Sequence, residues 1–392
     1  MGIRTTPALI GALVIVALGV PSISGARSIG TAKVARLACS GDPRQIHSFS
    51  LTIPADQRTT GLHDGPGTVA TGIYALPAGR PKGLVVFAHG HNNTPERAWE
   101  THLQDAARGD GVIAVAMDYY DPNPPSPLPA GVGPRTYGWR VAEGADFSVA
   151  AAREFDAACQ PPTTVMYGVS MGGNTAGLAV AERAKRAGGK RPLFDYLFDI
   201  EGVMNLTETY LEATATQNYA QAEIEEETGG SLQQAPAAYQ QRSVVTRAAD
   251  IAASGTRGVV IVQAVDDGLV PYNQTREFAG TLAASGVPVD LFTVGTRGKV
   301  DTTNPNPLKL TNNPGCSSPD ECQTTMDGFV TGNVPGFVSP FAGHGWEGSN
   351  TQVVITTGFN RLAALLNDGQ HPNGYHEYFV DPNAGTVPAP GP

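Results

Sequence analysis

Apolar runs separated by helical stretches dominate the middle of the chain. These runs are almost continuously apolar or β-branched, and they comprise residues 83–88, 112–117, 163–167, 194–203, 258–263 and 287–294. Such runs are typical of strands that are buried on both faces of a parallel sheet. The sequence between them is largely of helical composition. The alternation predicts an α/β domain with a mostly parallel sheet and helices on both of its faces.

Two earlier segments, residues 46–53 and 67–75, alternate apolar and polar positions instead. With a Gly- and Pro-rich turn between them, they predict an antiparallel pair with one exposed face. The predicted sheet then has about eight strands, and a final helix is expected over roughly residues 350–366.

Two insertions interrupt the alternation. Residues 207–256 are rich in Ala, Gln and Glu and lie between two predicted strands, which predicts a helical cap. Residues 296–343 are rich in Asn, Pro, Gly and Thr and contain Cys316 and Cys322. A loop of that length is uncommon unless it has a function or is disordered. A disulfide between these two cysteines would favour order.

Residues 1–26 have the features of a signal peptide. Arg4 precedes an apolar run over residues 8–20, and small residues follow where a signal peptidase would cut. An uncleaved membrane anchor is the alternative. We therefore expect a secreted protein with one domain over residues 27–380, a flexible tail over residues 381–392, and no stable membrane association after cleavage.

Composition and charge narrow the function. The net charge of -10 argues against a nucleic-acid-binding protein, which needs clustered Lys and Arg to neutralise phosphates. In an exported chain the four cysteines favour disulfides, for which three pairings exist. Their positions favour Cys316 with Cys322 and Cys39 with Cys159. A metal site is the competing use, but the spacing matches no zinc pattern.

A strand-to-helix break at residues 165–173 (VMYGVSMGG) contains a candidate nucleophile. Gly168 and Gly172 flank Ser170 at the two positions where a side chain would collide as the backbone doubles back. In a chain with 47 glycines, G-x-S-x-G alone is weak evidence, and an incidental serine in a loop is the alternative. The apolar strand before it and the helical sequence after it favour a nucleophile elbow.

A serine hydroxyl needs a base to take its proton and an acid to orient that base. Asp267 follows the 258–263 strand on a loop and is the preferred acid, with its neighbour Asp266 as the alternative. His344 is the preferred base because it lies between the last predicted strand and the final helix. The order Ser170, Asp267, His344 is that of α/β hydrolases.

Other histidines compete with His344 for the role of base. His371 and His376 fall after the final helix, and only His344 has glycines on both sides. His89 lies at a strand end, where we expect a structural histidine that braces the following loop. The oxyanion of a tetrahedral intermediate needs backbone N–H donors, and the expected pair is Met171 and His91.

The chain resembles α/β hydrolases, and more narrowly the prolyl-oligopeptidase-like and dienelactone-hydrolase-like enzymes. The matching motifs are residues 85–90 (VVFAHG), 167–173 (YGVSMGG), 239–246 (YQQRSVVT) and 267–271 (DGLVP). The resemblance runs from about residue 67 to 366 and implies the α/β-hydrolase fold and the triad roles. Two features depart from the family. Gln263 and Ala264 stand where the family often has His-Gly, and the long insertion before His344 is not part of the common pattern.

These features predict an exported serine hydrolase that works through an acyl-enzyme and needs neither a metal nor an organic cofactor. Carboxylic esters are the preferred substrates, because they react more readily than amides and the chain shows no propeller domain that would select peptides. One alternative is a serine peptidase or aminopeptidase of the prolyl-oligopeptidase-like type, acting on short peptides. Another is a non-catalytic exported binding protein that kept the fold.

Overall fold

One mixed β-sheet runs through the described part of the chain. The structure is a computed structural model that describes residues 37–53, 68–129, 132–216, 220–264, 267, 270, 272–294, 344 and 348–380. The strands in chain order are β1 (Ile46–Ile53), β2 (Thr68–Ala75), β3 (Leu84–Ala88), β4 (Ile113–Asp118), β5 (Thr164–Val169), β6 (Tyr196–Ile200), β7 (Gly258–Ala264), β8 (Val289–Val294) and β9 (Tyr375–Val380).

The strand order across the sheet is β1-β2-β4-β3-β5-β6-β7-β8-β9. The pairs β1–β2 and β2–β4 are antiparallel, and every pair from β4 to β9 is parallel. The predicted mostly parallel sheet is therefore confirmed, with β1 and β2 as its antiparallel edge. In a parallel sheet of this kind, ligand sites form at the carboxyl ends of the strands.

Helices cover both faces of the sheet. They are α1 (Pro95–Asp105), α2 (Val141–Cys159), α3 (Met171–Ala181), α4 (Leu206–Thr216), α5 (Ala220–Thr228), α6 (Pro236–Arg242), α7 (Ala248–Ser254), α8 (Tyr272–Ala284) and α9 (Gly348–Asp368). Successive strand residues point to opposite faces, so Val86 belongs to one hydrophobic core while Val85 and Phe87 belong to the other. The predicted two-sided α/β architecture is confirmed.

Two elements differ from the predictions. The sheet has β9 as a ninth strand, which was not predicted because residues 375–380 (YHEYFV) neither alternate regularly nor form a continuous apolar run. Helix α3 begins at Met171 rather than at residue 175. Gly172 and Gly173 disfavour a helix by propensity, but tertiary contacts around the break impose it.

A disulfide joins Cys39 to Cys159, with 5.5 Å between their Cα atoms. It ties the segment before β1 to the last residue of α2, which leads into β5. Helices α4 to α7 occupy the region of the predicted cap. The described residues contain no helix that is long and apolar enough to cross a membrane.

Several predictions concern residues that lie outside the described ranges. These are the signal peptide (residues 1–26), the loop insertion (residues 296–343) with Cys316 and Cys322, and the tail (residues 381–392). They stay predictions.

Candidate active site

Ser170 lies on a sharp turn between β5 and α3. Its backbone has φ 59° and ψ −126°, a conformation that non-glycine residues rarely adopt and that costs about 1–3 kcal/mol. Backbone hydrogen bonds hold the turn. Ser170 N–H donates to Ile200 O at 3.0 Å, while Gly173 N–H and Val203 N–H donate to Ser170 O at 2.8 and 3.2 Å. The nucleophile position is thus fixed by main-chain atoms.

The glycines on either side of Ser170 permit close backbone contacts. A Cβ atom on Gly168 would lie 2.0 Å from the carbonyl oxygen of Gly172. A Cβ atom on Gly172 would lie 2.2 Å from the carbonyl oxygen of Ala88, at the end of β3. Both distances are far inside van der Waals contact, so the turn packs against β3 only because these two positions lack side chains.

The structure brings Ser170, Asp267 and His344 together although they are far apart in the sequence. His344 Nε2 lies 2.9 Å from Ser170 Oγ, and His344 Nδ1 lies 2.7 Å from Asp267 Oδ2. All three residues are buried, with exposed fractions of 6%, 0% and 1% in the order named above. With the proton on Nδ1 donated to Asp267, Nε2 can accept the proton of the serine hydroxyl, which is the arrangement of a Ser-His-Asp relay.

The competing histidines make other contacts. His371 is exposed and its ring stacks on Tyr196, with 5.2 Å between the ring centroids. His376 Nε2 lies 2.9 Å from the side-chain oxygen of Asn373. Asp266, the alternative acid, lies outside the described residues.

Asp267 is held from two sides. Its Oδ1 accepts a hydrogen bond from Val270 N–H at 2.8 Å, and its Oδ2 accepts one from Gln263 Nε2 at 2.8 Å. The amide of Gln263 is itself oriented, because its Oε1 accepts a hydrogen bond from the Thr275 hydroxyl at 3.0 Å. From the sequence, Gln263 was recognised only as a departure from the family. Its place four residues before Asp267, at the end of β7, is the signal that could have identified this contact.

Glu201 is a second carboxylate beside the imidazole. It follows β6, is fully buried, and places Oε2 3.9 Å from His344 Nδ1. Sequence reasoning missed it because the apolar run at residues 194–203 was interpreted only as a strand. A glutamate inside such a run, near the carboxyl edge of the sheet, was the available signal. A neighbouring acid, Asp199, is also buried, and burial raises its pKa to about 8.

Donor atoms of Glu201, Asp267 and His344 lie within 4.8 Å of one another, close enough to hold a metal ion. Both ring nitrogens of His344, however, already lie at hydrogen-bond distance from Ser170 and Asp267. A metal would have to break one of these contacts. The hydrogen-bonded relay accounts for the cluster, and we assign no metal ligand in it.

His89 packs beneath the loop that follows β3. Its ring stacks on Tyr119 with 4.0 Å between centroids, and the Tyr119 hydroxyl donates to the carbonyl oxygen of His89 at 2.5 Å. Burial lowers the pKa of His89 to about 4, so its ring is neutral near pH 7. A buried, stacked ring with so low a pKa is a poor proton acceptor near pH 7, so His89 fits the expected structural role better than that of a base.

His91, one of the expected oxyanion residues, contacts helix α5. Its Nε2 pairs with the buried carboxylate of Glu223, and its ring lies 5.2 Å from that of Trp139. Met171, the other expected donor, is the first residue of α3, where backbone N–H groups are not used within the helix. That these two N–H groups bind an oxyanion remains a prediction.

A group of acidic side chains lies on and beside α5. Burial and then the neighbouring carboxyl group of Asp121 raise the pKa of Glu226 above its ordinary value. Burial also raises the pKa of Tyr137 to about 12, and Glu223 is among the acids that add to this effect. Titratable groups therefore surround α5, the helix that contacts His91.

Comparison with known proteins relates part of the chain to one family. Residues 143–298, which include Ser170 and Asp267, match the model of the prolyl oligopeptidase family. The sequence matches no curated protein.

Among solved structures, puromycin hydrolase is 17% identical and has a TM-score of 0.44, with 64% of this chain and 34% of that chain covered. The puromycin-hydrolyzing peptidase of Mycobacterium tuberculosis is 21% identical with a TM-score of 0.43, covering 59% and 34%. The acylaminoacyl peptidase of Pyrococcus horikoshii is 16% identical with a TM-score of 0.44, covering 67% and 39%.

This chain thus spans about a third of the length of these solved structures. The sheet order, the elbow at Ser170 and the family match agree with one another. The chain therefore has the α/β-hydrolase fold, and over residues 143–298 it is similar to the prolyl oligopeptidase family.

Proposed function

We propose that this protein is a serine hydrolase that cleaves amide bonds of short peptides through an acyl-enzyme. The observation that carries the proposal is the buried hydrogen-bonded chain from Ser170 Oγ through His344 to Asp267. A serine held in this way can lose its proton to the imidazole at the moment of attack, whereas an isolated serine hydroxyl is a poor nucleophile.

The reaction has two halves. Ser170 Oγ attacks the substrate carbonyl while His344 Nε2 takes its proton, and Asp267 stabilises the imidazolium. The N–H groups of Met171 and His91 are the proposed donors to the oxyanion. His344 then gives its proton to the leaving amine, and a water molecule, activated by the same imidazole, releases the acyl group from Ser170.

The family match favours amides over esters. It covers the elbow with Ser170 and the acid loop with Asp267, two of the three members of the relay. Esters were predicted from the sequence because they react more readily than amides and because no propeller domain was recognised; the first reason applies to any serine hydrolase. Peptide substrates are therefore the better proposal, and esters are the alternative that the experiment must separate.

We also propose that the protein is exported. The disulfide between Cys39 and Cys159 supports this, because disulfides persist in oxidising compartments. The apolar N-terminal sequence with its preceding Arg4 agrees with export. N-terminal sequencing of protein recovered from the culture medium should give a start close to residue 27. A product that begins at residue 1 and stays with the membrane fraction would contradict it.

The proposed activity is tested by comparing aminoacyl-nitroanilides with p-nitrophenyl acetate and butyrate. We expect kcat/KM to favour the anilides once the lower intrinsic reactivity of amides is taken into account. Ser170→Ala should lose turnover and fluorophosphonate labelling, by a factor of about 10⁴ or more in kcat. Ser285→Ala, a substitution of an exposed serine at the end of α8, is the matched control and should keep both. Turnover of esters alone would support the esterase. Absence of labelling in the unmodified protein would support a non-catalytic binding protein.

A further inference from the structure

Glu201 occupies a fixed place behind the imidazole. It is the first residue after β6, and its N–H donates to Val262 O at 2.8 Å. The carbonyl oxygen of the residue before it, Ile200, accepts the hydrogen bond from Ser170 N–H. Glu201 therefore belongs to the same backbone turn that supports the nucleophile, and its position relative to the elbow is set by main-chain contacts.

The backbone of Glu201 is in an unusual conformation. Its φ is 51°, in the left-handed region that non-glycine residues seldom occupy. Gly202 follows it, and an additional Cβ there would lie 1.8 Å from Asp199 Oδ1. Strained non-glycine residues cluster at functional sites, where the surrounding structure holds them in place. The strain at Glu201 places its carboxylate near His344 instead of continuing the strand.

Burial of the Glu201 carboxylate has a cost in free energy, because the charge loses its contact with water. Glu201 is fully buried, and a buried carboxylate needs compensating interactions. Its Oε2 is 3.9 Å from His344 Nδ1, beyond a hydrogen bond but within the range at which opposite charges shift each other's ionisation. When His344 takes the proton of Ser170, the positive charge that forms on the ring lies beside this carboxylate.

We propose that Glu201 is a positioning residue that stabilises the imidazolium form of His344 alongside Asp267. The inference rests on the proposed function, because it assigns a part in the same relay. The neutral ring faces two carboxylates before the reaction. Transfer of the serine proton to Nε2 places one positive charge between them, which favours the transfer. When Asp267 is removed, Glu201 remains as the acid beside Nδ1.

Three groups approach the His344 ring closely, and the test must separate their effects. Asp267 contacts Nδ1 from the loop after β7, Glu201 approaches it from the end of β6, and Ser170 contacts Nε2. Tyr167 of β5 lies close enough to Glu201 for that charge to add to the rise in pKa that burial of the phenol causes. Tyr167 stays neutral over the tested range, so the two carboxylates are the negative charges beside the ring among these groups.

The test measures the rate constant of fluorophosphonate labelling against pH, which reports the free enzyme and needs no known substrate. An anionic Glu201 stabilises the positively charged form of the neighbouring ring, and Glu201→Gln removes that charge. In Glu201→Gln we expect the acid limb to move to lower pH by about one unit. On the plateau of this pH profile, the labelling rate constant of Glu201→Gln should be about tenfold lower than that of the unmodified protein. Glu201→Asp keeps the charge at a greater distance and should lie between the two.

Asp199→Asn is the matched control. Asp199 is a buried acid of β6, two residues before Glu201, and its raised pKa keeps it mostly protonated near pH 7, so its replacement removes little charge. The acid limb of the labelling profile of Asp199→Asn should lie at the same pH as that of the unmodified protein. Far-UV circular dichroism and thermal melting establish that each variant is folded before its labelling is measured.

A double substitution tests the second part of the inference. In Asp267→Ala, adding Glu201→Gln should lower the labelling rate by about 100-fold, against about tenfold in the unmodified background, because no carboxylate then remains beside Nδ1. An unmoved acid limb in folded Glu201→Gln, or equal effects in both backgrounds, would overturn the inference. That result would leave the proposed function intact as long as labelling of the unmodified protein still depends on Ser170. Loss of that dependence would overturn the proposed function instead.

Discussion

The nucleophile elbow and helix α5 both border the loop after β3, yet different interactions hold them there. At the elbow, backbone atoms meet backbone atoms, with glycines where side chains would collide. At α5, side chains meet side chains. Glu223 pairs with His91, and Glu227 accepts hydrogen bonds from Arg242 Nε at 2.9 Å and from Ala142 N–H at 3.1 Å.

This difference separates two demands on the site. Backbone hydrogen bonds and steric contacts do not titrate, so the nucleophile keeps one geometry whatever the pH. Ion pairs and carboxyl pairs change with pH and with single substitutions. We therefore expect changes at the elbow to remove function or folding outright, and changes at α5 to alter efficiency and pH dependence by smaller amounts.

The largest effect is expected for Gly172→Ala. The new methyl group would lie 2.2 Å from the carbonyl oxygen of Ala88, a clash that only backbone movement can relieve. We expect a loss of at least about 3–4 kcal/mol in the free energy of unfolding, measured by urea denaturation, and no detectable labelling. Gly280→Ala is the control. Nothing lies within 4 Å of its new Cβ, and it is exposed within α8, so it should stabilise the protein by about 0.5–1 kcal/mol. A Gly172→Ala protein as stable as the unmodified one would contradict the steric account of the elbow.

The next effect concerns the support of the acid. Gln263→Leu removes the donor to Asp267 Oδ2 and leaves the Thr275 hydroxyl without its acceptor on Gln263. We expect kcat to fall about tenfold with little change in KM. The Asp267 carboxylate loses a donor that shared its charge and so stabilises the imidazolium more strongly, and the acid limb of the pH profile of kcat/KM should move to higher pH. This direction is opposite to that expected for Glu201→Gln.

Thr275→Val sharpens this experiment, because it removes only the group that orients the Gln263 amide. A smaller fall in kcat, about threefold, is expected. If Gln263→Leu changed KM alone, the contact to Asp267 would have no part in the relay.

A smaller effect is expected on α5. Glu223→Gln weakens the pairing with the His91 imidazole, which fixes the side chain of that loop residue to the helix. We expect kcat/KM for peptide anilides to fall about three- to tenfold without loss of stability above about 1 kcal/mol. Glu225→Gln, on the same helix, is the control, since Glu225 accepts hydrogen bonds from Tyr210 and Gln221 instead. Equal effects of the two substitutions would show that the pairing with His91 is not what matters.

The smallest effect is a change in pH dependence. Burial and Asp121 raise the pKa of Glu226 above its ordinary value of 4.5. A raised carboxyl pKa means that the folded state holds the proton more tightly. Its stabilising effect is complete below the unfolded pKa and is lost as the pH rises through the folded pKa. Glu226→Gln should therefore gain in melting temperature relative to the unmodified protein between pH 5 and pH 8, by about 1–3 °C. If the difference in melting temperature between Glu226→Gln and the unmodified protein were the same at pH 5 and at pH 8, the raised pKa of Glu226 would be contradicted.

Much of the fold could be predicted because its signals are local. Continuous apolar runs identify buried parallel strands, and a strand, a glycine-flanked serine and a helix in succession identify the elbow at Ser170. The edge strand β9 could not be predicted in the same way. Its residues are aromatic and charged, and they form a strand because β8 offers a pairing partner.

The sequence by itself determined which residue types were available and at which strand ends they would lie. The periodicity of apolar positions and the local composition act over only a few residues, so they can be read without the tertiary structure. The tertiary structure decided which of these residues meet. It placed His344 between Ser170 and Asp267, and it placed Gln263 and Glu201 around that relay. Parallel strands end at one edge of the sheet, so side chains distant in the chain become neighbours there. The distances between them depend on packing across the whole domain.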